Sequence, residues 1–128
     1  YLHWGKEYEK VKNYQKKFAR KLIDRGADFV FGSHTHLFQD VEKYKDKYIF
    51  YGIGNFVFDL DREDTHKSGL VNLYLQDNKI KSVKLIPVKL VDYTPEIMEN
   101  PAEVKEFIKG LKFEGVEPEE LGISFSSK

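Results

Sequence analysis

A chain of 128 residues is long enough for one domain with a real core, because folding at about this size hides roughly two-thirds of the chain's surface. Its 21 basic and 21 acidic residues cancel, so no global field favours a nucleic acid or an anionic membrane, and the absence of cysteine removes disulfides, thiolate metal sites and cysteine nucleophiles together. No apolar run reaches the ~18 residues of a membrane span, and the opening residues are not a signal peptide.

Tyr1-Leu2 reads as the end of a strand. Tyr8, Val11, Gln15, Phe18, Ala19, Leu22 and Ile23 then recur at helical spacing, with Lys10, Lys12, Lys16, Lys17, Arg20 and Lys21 mostly on the other side. This pattern predicts an amphipathic helix over residues 9–24, ended by Gly26, whose basic face is a solvated surface rather than a binding patch. Phe29 to Phe31 is all apolar, as expected of a strand covered on both faces. Strand, helix and strand make a βαβ unit with parallel strands.

The second half alternates instead. "VEKYKDKYIFYG" predicts two strands around the polar turn Lys45-Asp46-Lys47, and "GLVNLYLQDNKIKSVKLIPVKLV" two longer ones around Asp77-Asn78. The apolar phase changes between Leu85 and Ile86, beside Pro87, which predicts a bulge or an edge strand there. Asn100 and Pro101 open a helix with Val104, Phe107, Ile108 and Leu111 on one face, closed near Gly110 or Gly115. The tail "ISFSSK" is expected to be loose. With no repeat, low-complexity tract or Gly/Ser linker, the chain is expected to be a single α/β domain over residues 1–128.

"GSHTH", residues 32–36, follows the buried strand. In an extended segment residues two apart lie on one side, roughly 6.6 Å between Cα atoms, so His34 and His36 can face one small volume. Neutral imidazole is a common donor to Zn, Fe and Mn, and two donors so spaced can each take one ion of a two-metal site. Gly32 allows a sharp turn, and a loop leaving the carboxyl end of a buried strand is where open α/β sheets place ligands. Alone, His-x-His more often marks a pair of hydrogen-bonded loop histidines. His3 tips the balance towards metal, because it also ends a strand before a glycine and the crossover sets that strand end beside the one carrying His34. His66, in "DREDTHK", has no such neighbours and reads as a surface residue. A cupin is set aside: Glu42 falls six residues after His36 rather than four or five, and a long helix precedes the motif.

"HWGKEY" (His3 to Tyr8), "LIDRGADFVFGSHTHLFQ" (Leu22 to Gln39) and "VEKYKDKYIFYGIGNFVFD" (Val41 to Asp59) resemble, in that order, the C-terminal half of the CapA-type capsule, or poly-gamma-glutamate, biosynthesis proteins, which have a calcineurin-like metallophosphoesterase fold. The resemblance implies the C-terminal portion of a four-layer metallophosphoesterase-like sandwich: a βαβ unit, antiparallel hairpins and a C-terminal helix. It implies that His3 corresponds to a lone histidine ligand, and His34 and His36 to a final pair, one for each ion of a dinuclear divalent site in which Mn, Fe and Zn are not distinguished. Glu7 and Asn55 match motif positions near that site, although Asn55 reads equally well as a turn residue tolerating positive φ. Thr35 stands where the family usually has proline. The remaining ligands, an Asp-x-His, a bridging Asp and an Asn-His pair, are expected upstream of Tyr1, which makes the upstream half of the same domain a partner of this chain.

The function so implied is metal-dependent phosphoester hydrolysis in the full-length protein, the alternative being a non-catalytic binding or assembly protein that handles an anionic capsule polymer. The expected partner is that polymer or a phosphoester substrate, with no nucleic acid; the full-length protein is expected outside the cytoplasm, attached to a membrane only through a missing N-terminal segment. The chain alone is not expected to be a competent phosphoesterase, since three neutral imidazoles cannot offset the charge of two cations. Of the local acids only Asp59 and Asp61 are placed to approach the site, and Asp28 sits at the far end of its strand.

Overall fold

A computed structural model describes residues 1–124. The chain runs β1 (Leu2–His3), α1 (Asn13–Asp24), β2 (Phe29–Ser33), β3 (Val41–Tyr44), β4 (Lys47–Phe50), β5 (Lys67–Gln76), β6 (Lys79–Val91), β7 (Thr94–Ile97), α2 (Pro101–Lys109) and β8 (Phe113–Glu114), with short 3-10 turns at Glu63–Thr65 and Pro118–Leu121. Five strands form one sheet in the order β1-β2-β4-β3-β8, and three form a second in the order β5-β6-β7. The expected α/β class is found: β1 and β4 both lie parallel to β2, and hairpins follow.

The five-stranded sheet is covered on both faces, which explains why β2 and β4 are so apolar. On one side Trp4, Val30, Ile49 and Tyr51 pack with Ala19 and Ile23 of α1. On the other, Val41 and Phe50 meet Val83 and Leu85 of the second sheet, with Val104, Phe107 and Ile108 of α2 closing the flank. The order of layers is therefore helix, sheet, sheet.

The helix starts later than its periodicity suggested. Tyr8 is left-handed, with φ 63°, and its N–H donates to the Thr35 carbonyl at 2.9 Å, so residues 8–11 leave the helical path to dock on the histidine loop. The true start is marked by Gln15, fully buried, whose amide oxygen accepts the Lys12 N–H at 2.8 Å. At the other helix Asn100 caps as expected, accepting the Ala102 N–H at 2.9 Å, and α2 ends at Gly110.

Both hairpin turns form where expected. Lys45 and Asp46, then Asp77 and Asn78, each have two successive positive φ values, the geometry whose twist suits a two-residue hairpin. The irregularity expected beside Pro87 is not there. The ladder runs unbroken through Leu85, Ile86 and Pro87, and shifts register instead between Tyr74 and Leu75. Nor is β6 an edge strand, since β7 pairs along its second side. The phase change comes from burial on both faces at Pro87 and Val88. β7, which contains Pro95, and the two-residue β8 were not legible. Ile123, expected to belong to a loose tail, is 4% exposed and packs in the main core, while Phe125–Lys128 lie outside the described residues.

Candidate functional site

The parallel pairing of β1 with β2 sets Leu2 beside Gly32 and His3 beside Ser33. His3 and the residue after Ser33 thereby share one end of the sheet, and the imidazoles of His3 and His34 lie with ring centroids 4.2 Å apart. Behind them the Trp4 indole donates to the Tyr51 carbonyl at 2.7 Å and stacks on the Tyr51 ring. Gly32 is what makes room: a Cβ there would overlap both the indole nitrogen and that carbonyl oxygen.

The histidine loop is not extended. β2 ends at Ser33, and His34 and His36 have φ of 105° and 62°, so the same-side spacing expected of a strand does not apply. Thr35, between them, is buried at 1% exposure with its carbonyl tied to Tyr8 N–H. His36 is turned into a different set of contacts. Its Nδ1 lies 2.9 Å from Asn55 Oδ1, its Nε2 lies 3.7 Å from Glu7 Oε1, and the rings of Tyr8 and Phe58 flank it with centroids 5.8 and 5.0 Å away. Tyr8 carries the Arg62 guanidinium over its face at 4.1 Å, and Asp64 grips that guanidinium through both oxygens.

Asn55 reaches His36 from the loop after β4. Ile53 N–H donates to Gly32 carbonyl at 3.0 Å and Gln39 N–H to Gly52 carbonyl at 2.8 Å, which lashes residues 52–55 to the histidine loop. Gly54 takes the positive φ of this turn, 68°, and a Cβ there would come within 2.7 Å of Ser68 Oγ. Asn55 is not among the positive-φ residues, so the turn-residue account of it fails and its side-chain contact is what distinguishes the position. Three buried amide atoms lack a protein partner among the described residues: Gln15 Nε2, Gln39 Oε1 and Asn55 Nδ2. The last belongs to the amide whose oxygen meets His36.

Of the residues singled out in the sequence, His3 and His34 form one pair, and His36, Asn55 and Glu7 form a second group. His66 bonds elsewhere, its Nε2 lying 3.1 Å from the Leu60 carbonyl, and it is half-buried rather than a free surface residue. Asp59 and Asp61 are exposed, and Asp28 pairs with Lys47 at 2.9 Å. Tyr8, Phe58 and Arg62 were missed: Tyr8 had been absorbed into the helix pattern, and the other two lie in a loop without a period. As a donor set the described residues are incomplete. Each group offers two ligating side chains, and among the described residues no cluster of three or more His, Cys, Asp or Glu could hold a metal ion, so these residues alone do not fit a resident divalent cation.

These features define an α/β protein with an imidazole-bearing loop at the carboxyl ends of parallel strands, the position at which such sheets bind ligands. Residues 1–60 match the family described as bacterial capsule synthesis protein PGA_cap. The chain is 38% identical over 95 residues to the capsule biosynthesis protein CapA of Bacillus anthracis, covering 73% of this chain and 23% of that protein. It is 38% identical over 94 residues to the PGA biosynthesis protein CapA of Bacillus subtilis (strain 168), covering 73% and 25%, and 33% identical over 94 residues to a probable polyglutamine synthesis accessory protein of Mycobacterium tuberculosis, covering 70% and 25%. The chain belongs to this CapA-type family of capsule synthesis proteins, and spans about a quarter of the length of the curated relatives it matches.

Proposed function

We propose that this chain serves capsule or poly-gamma-glutamate biosynthesis as the C-terminal part of a metallophosphoesterase-type domain, in which His3, His34 and His36 supply imidazole donors to a divalent metal site completed by residues outside these 128. The full-length protein then hydrolyses a phosphoester, on the outer side of the cytoplasmic membrane. The observation that carries the reading is the His3–His34 contact, made between adjacent strand ends by a register of parallel pairing. Two further features support it. Tyr8, His34 and His36 all hold left-handed backbone, which costs of order 1–3 kcal/mol each and tends to cluster at functional sites. An apolar groove of about 290 Å³, lined by Phe29, Phe31, Ile53, Phe56, Leu70 and Leu73, opens beside the edge strand β5, as expected of a face that more of the same polypeptide covers.

The incomplete donor set favours a second reading, a non-catalytic protein that binds or assembles an anionic polymer, since that role needs no full ligand cluster. Among the described residues no helix is long and apolar enough to cross a membrane. Metal content by elemental analysis, with phosphomonoester and phosphodiester assays, on this chain and on the longer protein tests the proposal. Stoichiometric metal and metal-dependent turnover in the longer protein, both abolished by His34→Ala, are expected. Turnover indifferent to His34→Ala, or none with any divalent ion, overturns the hydrolase reading.

A further inference from the structure

We propose that Asn55 is the positioning residue of His36: its amide oxygen selects the Nδ1–H tautomer of the imidazole and so turns the Nε2 lone pair outwards, beside Glu7. A neutral imidazole carries one N–H and one lone pair, and which nitrogen carries which is decided by the partner of the other. Nδ1 faces Asn55 Oδ1 at 2.9 Å, an acceptor, so Nδ1 holds the hydrogen and donates. Nε2 is left as a lone pair, 3.7 Å from the Glu7 carboxylate. Two acceptors so placed suit a shared electron-deficient group between them, such as a proton or a ligand N–H or O–H.

The rest of the loop is built to hold the amide in place. Asn55 is 6% exposed, its backbone is fixed by Gly54 turning against Ser68, and its Nδ2 has no protein partner. The bond to His36 satisfies the oxygen end of this buried amide, whose loss would cost ~1–3 kcal/mol. Tyr8 and Phe58 restrict the ring from its sides, and Asn55 then sets its rotation.

The inference rests on His36 being a site residue, and its test separates from the test of the metal site. The chain has four histidines, so the ring nitrogens of His36 can be assigned by nuclear magnetic resonance from the signals lost in His36→Gln, at a pH above the imidazole range. The wild-type protein is expected to show His36 as the Nδ1–H form. Asn55→Asp keeps an acceptor oxygen and is expected to keep the tautomer, whereas Asn55→Ala shifts it towards Nε2–H. If wild-type His36 is the Nε2–H form, or if Asn55→Ala leaves the tautomer unchanged, the inference is overturned. Should Asn55→Ala fail to fold, the wild-type and Asn55→Asp tautomers decide it.

Discussion

The imidazoles of His3 and His34 stand with ring centroids 4.2 Å apart although a helix and a strand separate them in the chain. Their contact is a product of register, His3 beside Ser33, and not of local sequence. If the pair donates to one ion, His3→Ala and His34→Ala should each weaken cobalt or zinc binding by about 10–100-fold, at least what loss of an outer partner costs a metal site. The single tryptophan, Trp4, adjoins His3 and provides the signal: titration should alter its emission in the wild type, and in either variant only at about 10–100-fold higher metal. Equal affinities for variants and wild type would remove both residues from the site.

His34 holds φ of 105°, a region that side chains rarely adopt. Glycine visits it freely, so His34→Gly is expected to be more stable than His34→Ala by about 1 kcal/mol. Urea melts of the two variants measure the difference. The opposite order would mean that the loop relaxes once the imidazole is gone.

At Gly32 the requirement is space. Gly32→Ala drives a methyl group into the Trp4 indole and the Tyr51 carbonyl, and the indole must give up its hydrogen bond or β1 must move. A loss of about 1–3 kcal/mol from overpacking is expected, with a red shift of Trp4 emission as water reaches it. Unchanged emission and stability would show that the sheet end adapts without cost.

Glu42 is buried at 3% exposure, where it accepts from Arg20 Nε at 2.7 Å and from the Tyr51 hydroxyl at 2.6 Å. Burial, and then this hydrogen bond, hold the Tyr51 hydroxyl far above its usual pKa, so it remains a donor. Arg20→Met strands the carboxylate and should cost about 1–3 kcal/mol, less than the 3–5 for a fully buried pair because the Arg20 side chain is 37% exposed. The double variant Arg20→Met, Glu42→Leu should recover much of that loss. Chemical denaturation of the single and double variants distinguishes this from a purely apolar role for the Arg20 stem.

Acid should weaken the fold from the surface inwards. Hydrogen bonds from Lys45 hold the Asp24 carboxyl below its ordinary 3.8, and those from Lys12 and Lys6 hold Glu9 below 4.5. Asp64 is lowered by Arg62, and Glu120 by the Glu117 backbone and then Lys43. A carboxyl depressed in the folded state stabilises fully above its unfolded value and loses that contribution as pH falls through the folded one. The melting temperature should therefore fall below about pH 4.5, and Lys45→Gln or added salt should flatten that limb, since these charges are exposed and screened. A limb as steep in Lys45→Gln as in the wild type would assign the acid transition to other groups.

Much of the architecture was legible because it rests on period. The helix, the buried strand after it, both hairpins and the capped second helix announce themselves in residues a few positions apart, and hydrophobic alternation or helical recurrence survives any packing. The helix start did not, because Tyr8 has a helical residue's spacing and a loop residue's job, bonded to Thr35 across the sheet end. Pro87 misled for a related reason: a phase change in one strand reports which faces are covered, and only the neighbours β5 and β7 say that the ladder continues. At the site the sequence determined which side chains are available, His3, Glu7, His34, His36 and Asn55. What each touches was decided by tertiary structure. The approach of His3 to His34 was expected from the strand–helix–strand crossover, but positive φ at His34 and His36 breaks the strand spacing that would have aimed both rings one way, and the glycine-hinged loop after β4 gives His36 to Asn55. Such contacts depend on strand order and loop closure between residues far apart in the chain, and no local pattern encodes them.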